Sequence, residues 1–320
     1  MKYLFSMPVS GPLGTPDSMT SLAGQADRLG FEAITASERL VMPRAISSSY
    51  PYAETGEVPG VGTVQNTLEM LTVLAFLSAH TARIGLLTSV LVLPYRNLLL
   101  TAKMLATIDV LSKGRLIVGC GVGWMREEAD TLGVPSAFED RGAVSDEYIR
   151  AFRELWSGDE PDFQGRHLRF SDIEFAPRPV QQPGPPIWIG GESPAAMRRV
   201  ATLGDGWLPA AGNPRYPLDT PERLADAVAR LRRNAEAEGR DPSKVDIGYG
   251  GVTWIDGHPH RLPGGERKPF SGSDQQVAED IETYERLGVT YLSLRLTRPS
   301  LTETLERMER FMREVSPLAG

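Results

Sequence analysis

The sequence is poor in the residues that build disulfides and metal sites. It contains one cysteine, Cys120, and four histidines among 320 residues. A single cysteine cannot form an internal disulfide, and its place in an apolar stretch is typical of a protein from a reducing compartment, so we expect a cytoplasmic location. His258 and His260 are the two histidines close in sequence, and no cysteine or carboxylate stands at ligand spacing from them. We therefore expect no metal site.

Long hydrophobic runs and a strong excess of one charge are also missing. The longest apolar stretch, residues 84–93, is interrupted by Thr88 and Ser89 and ends before Pro94, so it is too short to cross a bilayer. The N-terminal residues lack the apolar core of a signal peptide. A formal net charge of −7 argues against nucleic acid or an anionic membrane as the main partner.

Two common site motifs are absent as well. Gly119, Gly121 and Gly123 alternate with other residues, but the G-x-G-x-x-G spacing of a dinucleotide fingerprint does not occur. There is also no G-x-S-x-G, the turn that holds the nucleophile of many hydrolases. These absences weigh against a Rossmann-type dinucleotide site and against a serine hydrolase.

What the sequence does contain is a regular alternation of strand and helix patterns. Residues 83–124 show it best: a buried-strand run of Val and Leu, a helical pattern that ends at Lys113 and Gly114, and a second apolar run that leads into Gly121. Along the chain we count eight strands, each followed by a helix. This count predicts the α/β class and a single (β/α)8 TIM barrel over residues 1–320. An open doubly wound sheet is the alternative.

Three insertions interrupt this alternation. They follow strand 2 (residues 42–65), precede strand 5 (residues 157–186) and follow strand 7 (residues 256–272). Long loops within a compact domain are commonly functional. We interpret the first and third as a substrate lid, in which Tyr50, Tyr52, His258 and Phe270 are candidates for substrate contact.

A glycine turn follows the fifth strand, and the active site of such a barrel lies at the carboxyl ends of the strands. Gly190, Gly191 and Ser193 precede a helix, where free N–H groups and the helix dipole favour an anion. An ordinary helix cap by Ser193, with Pro194 in the first turn, explains the same residues equally well.

A second glycine turn follows the fourth strand. Gly121 and Gly123 leave a flat space that suits a planar ring, and Trp124 stands beside it. Tight packing between a helix and the strand would require the same glycines, and Trp124 could equally fill the core.

Glu38 and Arg39 directly follow the second apolar strand. They form either a surface ion pair or part of the catalytic rim, and we favour the second interpretation. Arg39 cannot donate a proton at ordinary pH, because the pKa of a guanidinium stays far above neutrality. It would instead stabilise negative charge on a cofactor or substrate.

Three stretches together resemble the bacterial-luciferase-like monooxygenase superfamily, and in particular its probable coenzyme F-420 (deazaflavin)-dependent oxidoreductases. They are PYRNLLLTAKMLATIDVLSKGRLIVGCGVGW (94–124), PPIWIGGESPAAMRRVATLGDGW (185–207) and FSGSDQQVAEDIETYERLGVTYLSLRL (270–296). The likeness extends over essentially the whole chain. The family fold is a (β/α)8 barrel, which agrees with the strand count.

The resemblance implies a flavin or deazaflavin at the carboxyl ends of the strands. It places a non-proline cis peptide, Ser89–Val90, behind the ring at the end of the third strand. It also assigns the cofactor phosphate to Gly190, Gly191 and Ser193. One face of the ring would then be supported by the protein, and the other would be open for hydride transfer.

The resemblance also implies that Trp124 and Glu127 line the ring and its ribityl chain. Glu38 and Arg39 match an acidic residue and a histidine in many relatives. Arg39 replaces that histidine, which puts a histidine-dependent proton transfer in question and favours charge stabilisation.

We therefore expect an oxidoreductase that uses reduced F-420 for hydride transfer to or from a small organic substrate, with FMN as the alternative cofactor. An FMNH2-dependent two-component monooxygenase, supplied by a separate reductase, is the alternative function. A non-catalytic flavin-binding barrel is the alternative from another class. Because relatives commonly associate through apolar helix faces, a homodimer is a candidate assembly.

Overall fold

Eight parallel strands form a closed barrel in the computed structural model, which describes residues 1–60, 66–134, 138–262 and 264–320. Each strand pairs with the next in the chain, and the eighth pairs with the first. The predicted (β/α)8 barrel is confirmed, and the open-sheet alternative is wrong. In chain order the strands are β1 (Lys2–Ser6), β2 (Ala33–Ala36), β3 (Gly85–Thr88), β4 (Leu116–Gly121), β5 (Ile187–Gly190), β6 (Gly206–Leu208), β7 (Asp246–Thr253) and β8 (Tyr291–Arg295).

An outer layer of helices surrounds the barrel. Apolar side chains between the strands and these helices form the larger of two hydrophobic cores. None of the described helices is long and apolar enough to cross a membrane. The helices are α1 (Pro16–Leu29), α2 (Met70–His80), α3 (Leu98–Ser112), α4 (Arg126–Thr131), α5 (Arg141–Ser157), α6 (Pro194–Leu203), α7 (Pro221–Ala237), α8 (Asp274–Arg286) and α9 (Leu301–Arg310).

The ends of the helices follow local signals in the sequence. The Asn97 side chain accepts a hydrogen bond from a first-turn N–H group at 3.0 Å and starts α3. Lys113 (φ +59°) and Gly114 (φ +79°) adopt the left-handed conformation that ends it, as the sequence predicts. Ser273 starts α8 through a capping box with Gln276.

The barrel interior is built in layers. Residues of a strand point alternately to its two faces, so the positions that follow the apolar layer toward the carboxyl ends are Ser6, Thr35 and Ser293, with Gly121 and Gly190 at the ends of β4 and β5. Small residues therefore line this end of the barrel, which we call the barrel mouth. The apolar layer beneath it consists of Leu4, Ala33, Leu87, Trp188, Leu208 and Tyr291.

Residues 84–93, which the sequence predicts as one strand, form two. β3 ends at Thr88, and Leu91–Val92 forms a short separate strand beside Cys120 and Gly121. The break lies at Ser89–Val90. Because the apolar pattern continues across the break, periodicity alone could not reveal it.

The three insertions differ in structure. In the second, Phe163–Gln164 and Arg169–Phe170 form an antiparallel hairpin. In the third, Ile255–Asp256 and Ser271–Gly272 form a short parallel pair. In the first, residues 42–60 are irregular. Two parts of the predicted lid, residues 61–65 and residue 263, lie outside the described residues.

Candidate functional site

The Ser89–Val90 segment forms the floor of the barrel mouth. Its peptide bond is cis, as the resemblance implies. The Val90 side chain packs on the apolar layer and fills space that two glycines leave open. A Cβ atom on Gly121 would lie 2.8 Å from Val90 Cγ2, and one on Gly190 would lie 2.9 Å from Val90 Cγ1. Both glycines, predicted as cofactor contacts, are therefore required by Val90 itself.

A second close contact requires glycine at position 123. The φ of Gly123 is +80°, and a Cβ atom there would lie 2.8 Å from Val92 Cγ1 and 3.1 Å from the Tyr95 hydroxyl oxygen. Tyr95 donates a hydrogen bond to the carbonyl of Met125 at 3.0 Å. The glycine thus lets the segment after β4 lie against the segment after β3. At this position the structure supports the interpretation that glycine allows tight packing.

The turn after β5 keeps two N–H groups free. Ser193 caps α6, and its Oγ accepts a hydrogen bond from the N–H of Ala196 at 3.2 Å. Within the part of the chain that the structure describes, the N–H groups of Ser193 and Ala195 have no acceptor, whereas Gly191 continues the pairing of β5 with β6 at Leu208. Free donors at the start of a helix favour an anion. Both interpretations of this turn, helix cap and anion site, therefore apply together.

Glu192 points away from these free N–H groups. The residue is buried, and its carboxylate accepts hydrogen bonds from the N–H of Ala210 at 2.8 Å and from Asn213 Nδ2 at 2.6 Å. Burial raises the pKa of the Glu192 carboxyl, although these hydrogen bonds act in the opposite direction. The carboxylate links the loops after β5 and β6 and leaves the turn open to an anion.

The Glu38 side chain is buried, and both of its oxygens are held within the protein. Oε2 accepts a hydrogen bond from the N–H of Val92 at 2.6 Å, and Oε1 accepts one from Arg96 Nε at 2.9 Å. Arg96 also donates to Glu69, the N-cap of α2, at 2.6 Å. Desolvation lowers the pKa of Arg96, but the two carboxylates outweigh it and the pKa is raised. Glu38 thus fixes the segment that follows the Val90 floor.

Arg39 lies at the rim of the barrel mouth beside Trp124. Its guanidinium is 5.5 Å from the centroid of the Trp124 ring and forms an ion pair with Glu128. Glu128 is buried and also accepts hydrogen bonds from the N–H groups of Leu40 at 3.0 Å and Val41 at 3.2 Å. The Arg39 side chain keeps 20% of its surface exposed. A positive charge is thus held at the rim by a carboxylate that the sequence did not single out.

Glu127 binds the first insertion. Its Oε1 accepts hydrogen bonds from Ser47 Oγ at 2.6 Å, from the N–H of Ser47 at 2.8 Å and from the N–H of Ser48 at 3.0 Å. These bonds, with the Ser47 hydroxyl first, lower the pKa of Glu127 to about 2. Ser48 Oγ in turn accepts a hydrogen bond from the N–H of Arg126 at 3.1 Å. The first turn of α4 is therefore the anchor of residues 40–48.

Aromatic side chains of the first insertion gather at the same rim. Tyr50 contacts Tyr52 at a centroid distance of 5.7 Å and Trp124 at 5.3 Å, both edge-on. Phe270, a candidate for substrate contact in the third insertion, is instead buried in the core 4.9 Å from Tyr284. The first insertion thus reaches the barrel mouth, whereas Phe270 has a packing role.

The sequence interpretation missed a polar layer at the barrel mouth. Ser6, Thr35 and Ser293 lie at the inward positions of β1, β2 and β8, and Arg295 is the next inward residue of β8. Within the described ranges, none of these hydroxyls is hydrogen bonded. The period-two alternation of the strands, followed to their last residues, is the signal that could have found them.

The comparisons with known proteins point to one family. The model of the luciferase-like monooxygenase family matches residues 4–260. An uncharacterised protein of Mycobacterium tuberculosis is 33% identical over 214 residues, which cover 67% of this chain and 71% of that protein.

Two further similarities differ in the cofactor that the relative's name states. An FMNH2-dependent dimethylsulfone monooxygenase of Pseudomonas putida is 31% identical over 224 residues, which cover 70% of this chain and 54% of that enzyme. The structure of the coenzyme F420-dependent tetrahydromethanopterin reductase of Methanopyrus kandleri superposes with a TM-score of 0.77, covering 100% of this chain and 99% of that one. At 17% identity, the second likeness shows the fold alone.

Proposed function

Because the chain belongs to the luciferase-like monooxygenase family, we propose that it is an oxidoreductase that uses reduced F-420 for hydride transfer to or from a small organic substrate. One arrangement carries this proposal. The Val90 floor lies against the ends of β4 and β5, and the free N–H groups of Ser193 and Ala195 follow shortly after β5. A ring with an anionic tail needs an apolar support and an anion site side by side.

The residues present fit such a cofactor. When bound, F-420 supplies a ring carbon that gives or takes hydride. Val90 would support one face of the ring, and the N–H groups of Ser193 and Ala195 would bind a phosphate at the start of α6. Gly191, which has no side chain, would let the phosphate approach the backbone. Trp124 would cover the edge of the ring from the rim. Glu127 would act indirectly, because it binds the lid segment at Ser47 and Ser48.

We assign charge stabilisation to Arg39 and positioning to Glu38. A guanidinium can stabilise negative charge without transferring a proton, which is the role we give to Arg39. We expect Arg39→Ala to lower the rate of hydride transfer about 10²–10³-fold, measured as cofactor oxidation in a single-turnover stopped-flow experiment. Arg39→Lys keeps the charge and should retain more of the rate.

The control for this prediction distinguishes the loss of the Arg39 charge from the effect of leaving the Glu128 carboxylate unpaired. Arg39→Ala leaves the buried Glu128 without its cation, so the double variant Arg39→Ala/Glu128→Gln should recover stability without recovering the rate. An unchanged rate in Arg39→Ala would remove Arg39 from the mechanism.

A second candidate function is an FMNH2-dependent monooxygenase with a separate reductase. It is favoured by the 31% identity to the dimethylsulfone monooxygenase, which exceeds the 17% identity to the F420-dependent reductase. In that case the same floor and anion site would hold FMN, and the lid would close the mouth against water.

Titration of the purified protein with each cofactor separates the candidates. We expect F-420 to bind and to turn over in the absence of oxygen. Binding of FMN alone, with turnover that needs oxygen, would replace the first candidate by the second. If neither cofactor binds, the proposed function is wrong and a non-catalytic barrel is favoured. Gly191→Val should weaken binding of the cofactor in this titration, since a side chain at φ +107° blocks the anion turn.

Three further predictions from the sequence stay proposals. Two of them are a cytoplasmic location and a separate reductase that supplies the reduced cofactor. The proposed homodimer has a candidate surface on α3, where Leu100 is 60% and Leu111 is 56% exposed. Sedimentation at several protein concentrations would test it.

A further inference from the structure

Arg295 faces the barrel mouth without a partner. Its neighbours along β8 fix the direction of its side chain: Leu292 and Leu294 belong to the core between strands and helices, whereas Tyr291 belongs to the layer inside the barrel. Arg295 is therefore an inward position, and it is exposed. Among the described residues, no carboxylate, carbonyl or aromatic ring binds its guanidinium.

The acidic residues around the mouth cannot serve as that partner, because each is already engaged. Glu38 is held by Arg96, and Glu192 is held by Asn213. Asp256, after β7, accepts from three arginines: Arg298 at 3.2 Å, Arg307 at 2.8 Å and Arg310 at 2.8 Å. The positive charge of Arg295 is thus left for a group that enters from outside.

Free hydroxyl groups lie below this charge. Ser293 precedes Arg295 by one inward step on β8 and pairs with Leu4 of β1. Ser6 and Thr35 are the corresponding inward residues of β1 and β2, and they pair with each other. A guanidinium above three hydroxyls forms a compact set of donors on one side of the mouth, between β8 and β2, whereas the anion turn follows β5 on the other side.

We propose that Arg295, with the hydroxyls of Ser6, Thr35 and Ser293, recognises a carboxylate on the substrate. This inference rests on the proposed function in one respect: the ligand is taken to be the partner of a cofactor bound over Val90. A planar guanidinium matches a carboxylate with two parallel hydrogen bonds, and the hydroxyls can complete the acceptor sites of its oxygens. The substrate is therefore an organic acid held by its carboxylate at the β8 side.

Paired ligands test this proposal without turnover. Isothermal titration would compare carboxylates with their primary amides, namely propanoate, hexanoate, benzoate and cinnamate against propanamide, hexanamide, benzamide and cinnamamide. We expect the wild-type protein to bind at least one acid about tenfold or more tightly than its amide. Arg295→Gln should remove that preference, and Arg295→Lys should retain part of it. Arg230→Gln, which removes an exposed charge without a partner from the outer face of α7, should leave it unchanged.

Three results would overturn the proposal. They are the absence of any preference for an acid in the wild-type protein, a preference that survives Arg295→Gln, and an equal loss in Arg230→Gln. Loss of cofactor binding in Arg295→Gln would also overturn it, because Arg295 would then serve an anionic group of the cofactor. Failure of the proposed function looks different: neither cofactor binds, while the acid preference and its dependence on Arg295 remain.

Discussion

At Gly121 the chain has no room for a side chain, because Val90 Cγ2 lies 2.8 Å from the position of a Cβ atom. We expect Gly121→Ala to destabilise the protein by about 1–3 kcal/mol through overpacking, and to weaken cofactor binding because Val90 must move. The free energy of unfolding in urea measures the first effect, and cofactor titration measures the second. Gly212→Ala is the matched control, since no atom lies within 4 Å of a Cβ atom there.

A double variant checks the cause. Val90→Ala removes the methyl groups that a Cβ atom on Gly121 would meet, so Val90→Ala/Gly121→Ala should be more stable than the sum of the two single effects predicts. If the two effects simply add, the contact with Val90 is not the reason for glycine at position 121.

The lowered pKa of Glu127 predicts that the attachment of the lid segment at Ser47 and Ser48 depends on pH. Its pKa lies at about 2 in the folded protein, against an ordinary value of 4.5. A carboxyl whose pKa is lowered by folding stabilises the folded arrangement above its ordinary pKa, and this contribution is lost as the pH falls toward the lowered value. The hold on Ser47 and Ser48 should therefore be complete near neutral pH and weaken between about pH 4.5 and pH 2.

Amide hydrogen exchange of Ser47 and Ser48 measures this hold. In Glu127→Gln we expect faster exchange than in the wild-type protein at neutral pH, and the difference should shrink as the pH falls through that window. Glu139→Gln is a suitable control, because Glu139 is an exposed neighbour that pairs with Arg126. A difference that is independent of pH would show that the charge of Glu127 does not hold the lid.

At the scale of elements, α6 joins a helix cap to the proposed anion site. Ser193→Ala should cost about 1 kcal/mol of stability through the lost cap, and it should also weaken cofactor binding if the turn holds a phosphate. Ser273→Ala is the matched control, because it removes a serine cap from α8. Equal losses of stability with unchanged cofactor affinity in both variants would restrict Ser193 to capping.

The strands and helices were largely predictable, because their signals are local. Lys113 and Gly114 end α3, and Ser193 starts α6, where the sequence places them. The break in residues 84–93 was not visible in the apolar pattern, and it came from the resemblance alone. Periodicity reports which face of a strand is buried, but it does not report a change of backbone direction within a uniformly apolar run.

The candidate site was predictable in position but less so in the roles of its residues. The barrel topology brings Glu38, Val90 and Gly190 to one end, as strand order alone requires. Glu38 binds Arg96, and Glu127 binds Ser47; in each pair the two residues are distant in the sequence. Such pairings arise from tertiary packing, so no spacing rule could supply them.

On the scale of the whole molecule, the two ends of the barrel differ in character. The amino-terminal end has a surface cavity of about 400 Å³, lined in part by Lys2, Asp246 and Tyr291. Lys2 donates hydrogen bonds to Glu32 and to the Tyr291 hydroxyl there, at 3.1 Å and 3.2 Å. That end of a barrel contributes stability, and the free donors at the carboxyl end are the ones available to ligands.

Cys120 offers a test of whether residues 1–320 unfold as one unit. The thiol is buried in β4, donates to the carbonyl of Trp188 at 3.5 Å, and burial raises its pKa to about 12. A thiol in this state does not react with disulfide reagents, so labelling reports the opening of the barrel. The five tryptophans span positions 124–254 and report the surrounding structure by fluorescence.

We expect labelling of Cys120, fluorescence and circular dichroism to give the same midpoint in urea, because a closed barrel cannot lose β4 and keep its other strands paired. Cys120→Ala should abolish the labelling and confirm its source. Labelling at a lower urea concentration than the fluorescence change would show that the region around β4 opens separately. The chain would then contain more than one cooperative unit, against the prediction of a single domain.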